Sequence, residues 1–201
     1  MTHEASRETR PKLIPVRNQT SLLSPLARER EGLIDWIIQM NCTHAITLNT
    51  NRDLSVDNVR KMFGQFCKRV DEYRFGGTHV SRKESLFRFT AIAFVEHPDS
   101  NPHLHVAARL DRMWLGHEFR PRDQRQLDWA WRAIVQGSGS TFFEEMGSKG
   151  PAEGWGRYAT KVYKPGAEYF HSHDFHPDRS VLQSLALQNT LTELERCPGC
   201  L

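Results

Sequence analysis

Residues 86–96 and 103–110 are two stretches rich in β-forming side chains, joined by His97-Pro-Asp-Ser-Asn-Pro102. This arrangement constrains the fold more than any other part of the chain. The joining residues favour turns, so the two stretches read as a β-hairpin. Alternation along a strand puts His103 and His105 on one sheet face, and Leu104 and Val106 on the other. Glu96 ends the first strand where His103 begins the second, which predicts cross-strand opposition with Cβ atoms roughly 5 Å apart. Two imidazoles and a carboxylate on one face suit a divalent cation that keeps coordination positions open for water or substrate. His97, Asp99 and His44 are alternatives to Glu96 as third ligand, and a His-x-His pair alone also occurs among ordinary surface histidines.

Around the hairpin, strand-like and helix-like periods alternate. Residues 43–49 alternate like a strand, and Val59, Met62, Phe63, Phe66, Val70 and Tyr73 recur at helical spacing, with Ser55 or Asp53 as cap. Residues 121–135 predict a second helix ended by the glycines from Gly137 to Gly139, and residues 141–145 a short strand. Residues 154–163 and 180–194 predict further helices, and an apolar patch at 32–39 a helical turn or two. Trp114, Trp129 and Trp131 read as core residues. The order β, α, β, β, α, β, α describes an α+β domain with helices over an antiparallel sheet. Three parts are expected: a flexible basic arm at 1–31, one domain at 32–170 and a C-terminal helical extension at 171–201.

The 201 residues suffice for one ordinary domain, and 38% hydrophobic with 25% charged residues is a globular balance. A net charge of +3 is compatible with an anionic partner without requiring one. Four cysteines are too few and too unevenly spaced for a secreted disulfide framework. Cys197 and Cys200 have zinc-knuckle spacing but no second ligand pair nearby. No apolar run approaches the ~20 residues that cross a bilayer, and the N-terminus lacks a signal-like stretch. An intracellular protein without a membrane partner is expected, cytoplasmic in a bacterium or nuclear in a eukaryotic or viral setting.

Tyr158 and Lys161, at i and i+3, share a helix face and can reach one ligand. A tyrosine with an unperturbed pKa of about 10 needs help from charge or a base to attack phosphorus. A lysine and a metal ion supply such help, although each residue is equally consistent with packing and solvation. Tyr163 is a competing nucleophile without a lysine three residues later.

Together these residues resemble the HUH endonuclease superfamily, and most closely its single-tyrosine rolling-circle replication initiators. Pro102-His103-Leu104-His105 matches the His-hydrophobic-His motif, Tyr158-Ala-Thr-Lys161 the Tyr-x-x-Lys motif, and Ile46-Thr47-Leu48-Asn49 a weaker first motif, in the family order. The resemblance spans residues 43–165. It implies a central antiparallel sheet of about five strands with ferredoxin or RNA-recognition-like topology. It also implies a Mg²⁺ or Mn²⁺ ion on Glu96, His103 and His105, with Tyr158 and Lys161 as catalytic residues. The implied reaction nicks single-stranded DNA at an origin or element end through a 5′-phosphotyrosine, and the free 3′-hydroxyl permits later rejoining.

The sequence also departs from larger initiators. No Gly-x-x-x-x-Gly-Lys-Ser/Thr loop is present, so unwinding would fall to a host helicase. Relaxase-like placement of a third histidine and an N-terminal tyrosine is absent, and Lys161 stands where the related transposases usually have glutamine. Arg157, Lys164 and Arg88 are candidate DNA contacts, with Arg82 and Lys83 behind them. Three other readings share these residues: a mobile-element transposase of the same chemistry, a two-His-one-carboxylate metalloenzyme, and a nucleic-acid-binding module without catalysis.

Overall fold

The computed structural model describes residues 24–77, 88–147, 152–160 and 168–175. Several expectations lie outside these residues: the arm at 1–23, Arg82, Lys83, Lys161, Tyr163, Lys164, the helix at 180–194, and Cys197 with Cys200.

The elements run α1 (Pro25–Gln39), β1 (His44–Asn49), α2 (Val56–Phe75), β2 (Ala91–Glu96) and β3 (His103–Ala108). They continue with α3 (Arg112–Leu115), α4 (Pro121–Ile134), β4 (Ser140–Glu145), α5 (Ala152–Ala159) and β5 (Tyr169–His171), before a 3-10 turn at Ser172–Phe175. Five strands form one sheet in the order β4-β1-β3-β2-β5, and every pairing is antiparallel. The chain is therefore α+β, a five-stranded antiparallel sheet with flanking helices. Among the described residues no helix is long and apolar enough to cross a membrane.

Local sequence explains most of these elements. Ser55 accepts a hydrogen bond from the Asn58 N–H and caps α2, while Gly76 closes it at φ 71°, where a Cβ would be strained. Val59, Phe63, Phe66 and Val70 return every three or four residues and are all fully buried. They meet Ile46, Leu48, Leu104 and Val106, which point from β1 and β3 to the same sheet face, and Leu127 and Trp131 of α4 complete that core. Gly139 sits where a Cβ would come within 2.8 Å of the Asn49 carbonyl oxygen, so a larger residue would push β4 off the end of β1.

The opposite face carries a smaller core. Leu33 and Ile37 of α1 and Ala159 of α5 pack on Ile92, Phe94 and Ala107. These two helices cover one end of the face and leave the end bearing Glu96 and His103 to other contacts.

Three expectations need correction. Helix α1 begins at Pro25, capped by Ser24, so residues 25–31 are helix and not arm. Its first turns are charged and carry no apolar stripe, but a serine cap followed by proline is itself a helix start. Trp129 is 65% exposed. Leu127 and Trp131 are four apart and face the sheet together, so a residue midway between them points away. Strand β5 has only three residues and no bounding turn signals, and its pairing with β2 supplies the strand that the periodicity alone did not locate.

Candidate functional site

Hairpin register decides the site. Glu96 pairs with His103 and Phe94 with His105, so all four side chains share one face, as alternation requires. The Glu96 Oε2 lies 2.9 Å from the His103 Nε2 and 2.5 Å from the His105 Nε2. Nε2 and carboxylate oxygen are the atoms a divalent cation takes, and three of them converge here. Burial pushes the Glu96 carboxyl up, but the hydrogen bonds from His105 and His103 outweigh it and hold the carboxyl below its usual range. The residues therefore fit the ion that the resemblance implies.

His97 joins this cluster. Its ligand atom lies within 4.8 Å of those of Glu96 and His103, a group that includes neither His105 nor Asp99. Its ring centroid is 5.4 Å from that of His103. The backbone at His97 has φ 54°, and this left-handed start to the loop folds the side chain back over the hairpin end. His97 thus joins Glu96 and His103 where the sequence placed His105, and His105 reaches the cluster through its contact with Glu96. His44 is not in the cluster: it pairs with Ala108 at the far end of β1 and packs on Phe119.

Sequence reasoning missed Thr47, whose Oγ1 lies 3.5 Å from the His105 Nδ1. Contact with the second ring nitrogen fixes how a ligating imidazole presents its first. Thr47 stands in the strand of the weak first motif, and only the pairing of Thr47 with His105 reveals its role.

Tyr158 arrives from α5. That helix lies close on α1, where a Cβ at Gly156 would meet Ile34 and Ile37 at 3.3–3.4 Å. Arg157 ties it to the same helix, with Nη1 2.7 Å and Nη2 3.2 Å from the two Glu31 carboxylate oxygens, and it also bonds Glu153. So anchored, α5 sets the half-exposed Tyr158 ring edge-on to His105, with centroids 5.7 Å apart. A cavity of ≈ 550 Å³ opens beside this pair, between α5 and β4. His105, Tyr158, Thr47, Phe142, Glu144 and Trp155 are among its lining residues.

One expected DNA contact is reassigned. Arg88 is buried and its Nε donates to the Asp71 Oδ2 at 3.0 Å, while the Phe89 N–H donates to the other carboxylate oxygen. This guanidinium neutralises a carboxylate in the interior, so it does not face a strand of DNA. Arg157 is beside the nucleophile as expected, and its exposed guanidinium pairs with Glu31 and Glu153.

No protein-family model matches this chain. Neither does any curated protein or solved structure. The functional reading therefore stands on the motifs and the geometry.

Proposed function

We propose that this chain is a metal-dependent HUH-type endonuclease that nicks single-stranded DNA and rejoins it through Tyr158. The observation that carries this reading is the meeting of Tyr158 with His105: a phenol from α5 is held edge-on against the imidazole–carboxylate cluster of the hairpin. An iron oxygenase gives that tyrosine no task, and a binding module gives none to the imidazole–carboxylate cluster.

In this reading the Tyr158 oxygen bonds to a DNA phosphorus as the bond from that phosphorus to the 3′ oxygen breaks. The products are a 5′-phosphotyrosyl protein and a 3′-hydroxyl, with the phenol proton reaching the departing oxygen through solvent. Glu96, His103 and His105, with His97 beside them, would hold a Mg²⁺ or Mn²⁺ ion, which supplies positive charge against the phosphate. Thr47 orients His105. Arg157 and Glu31 keep α5 in place so that Tyr158 is aligned before substrate arrives, which matters because misplacement by about 1 Å can cost 10²-fold in rate. Lys161, three residues on in sequence, is the proposed source of positive charge for the phenolate, and Lys164 a proposed phosphate contact. Because the phosphodiester energy is kept in the tyrosyl ester, a 3′-hydroxyl can later displace Tyr158. Initiation of rolling-circle replication with a host helicase is the role we favour, and transposition uses the same chemistry.

The test is a denaturing gel of end-labelled single-stranded oligonucleotide pools with Mn²⁺ or chelator. A covalent protein–DNA band that requires metal and disappears in Tyr158→Phe is the expected result. Folded protein that forms no adduct across a broad pool, and that instead retains iron, would replace this reading with the oxygenase.

A further inference from the structure

Strand β4 is an edge of the sheet: β1 lies on one side of it, and no described strand lies on the other. Proteins ordinarily blunt such an edge with proline, lysine, a bulge or a very short strand, because its outward main-chain groups invite another strand. β4 has none of these. It runs for six residues, Ser-Thr-Phe-Phe-Glu-Glu, in unbroken register with β1.

Hydrogen-bond phase shows which groups face outward, since main-chain bonds alternate from side to side along an antiparallel strand. The Met146 N–H donates to the Thr43 carbonyl oxygen at 2.8 Å, so residues 142 and 144 turn their N–H and C=O groups to β1 as well. Residues 141 and 143 turn theirs away. Among the described residues, no group answers the outward N–H and C=O of Thr141 or Phe143. Side chains add a second mark. Phe142 pairs with Thr47, and Thr47 with His105, so these residues form one row on the face of the candidate site. At the edge of that row the Phe142 ring is 60% exposed, and a ring in such a place suits an aromatic residue on an adjoining strand.

We infer that β4 pairs antiparallel with β4 of a second copy of this chain, joining two sheets into one of ten strands with Phe142 against Phe142 of the partner subunit. A two-fold axis normal to the sheet keeps each face on its own side, so only residues of one face oppose each other. Centring the axis on Phe142 sets Thr141 against Phe143 of the partner subunit, and their outward groups then bond in both directions. It also sets Glu144 against Ser140 of the partner subunit, so no carboxylate meets another. Centring it on Phe143 would put Phe142 against a glutamate, and centring it on Glu144 would put carboxylate on carboxylate. The strand that fits this edge is therefore β4 itself. Both candidate sites then lie on the same face, with their His105 residues five strand spacings, about 24 Å, apart. Phe142 of the partner subunit stands beside the cavity that Phe142 lines. The pairing goes beyond the nicking reading and does not depend on it.

The test is sedimentation equilibrium of the full chain across the micromolar range, where wild type is expected to dimerise. Phe142→Lys and Phe142→Glu each set like charges face to face and remove the ring pair, so each should weaken dimerisation by roughly tenfold or more. Circular dichroism should stay unchanged, because the ring is exposed. An equimolar mixture of the two variants should restore the dimer, since lysine then opposes glutamate. Phe142→Cys supplies a second readout: Cα atoms about 4.5 Å apart in such a pair are within disulfide reach. Mass spectrometry after mild oxidation should find a bridge between the two copies of position 142, and none between two copies of position 141 in Thr141→Cys. A wild type that stays monomeric, a dimer indifferent to both charge variants, or failure to bridge at position 142 overturns the pairing. The gel assay reports separately: a dimer without adduct sinks the nicking reading alone, and adduct from a monomer sinks the pairing alone.

Discussion

The two faces of the sheet are made from alternating residues of the same strands, yet they differ in how completely they are covered. Under α2 and α4, Ile46, Leu48, Leu104 and Val106 are shut into a continuous aromatic and aliphatic core with Phe63, Phe66 and Trp131. Among the described residues, α1 and α5 cover only the end of the other face around Ile92, Phe94 and Ala107, and the remainder carries Thr47, Glu96, His103, His105 and Phe142. One face stabilises the fold by burial; the other carries the polar groups of the candidate site. A domain can sustain such an open, polar face because the sealed one supplies most of the apolar burial.

Paired substitutions test that division. On the open face, Tyr158→Phe is expected to reduce covalent DNA attachment to background with little change in urea stability, because the ring is half exposed. On the sealed face, Trp131→Ala is expected to cost about 3–5 kcal/mol in urea unfolding, from the cavity left by a fully buried indole and from the lost bond between its Nε1 and the Asn49 carbonyl oxygen. A stability loss in Tyr158→Phe as large as in Trp131→Ala would erase the distinction.

Arg88→Ala comes next, at about 3 kcal/mol, because it strands the buried Asp71 carboxylate. DNA affinity measured well below the melting temperature should hardly change. Lost affinity with unchanged stability would return Arg88 to the DNA contacts.

His171 lies at the covered end of the open face, stacked on Trp36 with centroids 4.6 Å apart. Burial first and His173 second push its pKa down to about 4, against Asp174. An unfolded histidine takes up a proton near pH 6.5, while the folded one resists until about pH 4. Its contribution is therefore complete above pH 6.5 and is lost as pH falls to about 4, by on the order of 2–3 kcal/mol. Urea midpoints across that window should show the decline, and His171→Gln should flatten it. The smallest expected effect is loss of the α2 cap in Ser55→Ala, about 1 kcal/mol by urea unfolding.

The hairpin, the α2 stripe and the Glu96, His103, His105 set were legible because each depends on short spacing: a period of two, a period of 3.6 and a six-residue loop. Trp129 and β5 were not. The helical phase of Trp129 is set by which neighbours the core needed, and β5 is too short to carry a period. Arg88 looked like a basic surface residue until α2 brought Asp71 beside it.

Local periodicity, then, determined the α+β elements and the chemical types of the candidate ligands and nucleophile, since side-chain direction along one strand or helix follows from the backbone alone. Tertiary structure decided what met what: Tyr158 against His105, Thr47 behind His105, Phe142 in the same row, and Arg88 in the interior. Those contacts join residues far apart in sequence, and they exist only once sheet register and helix docking have fixed every element at the same time.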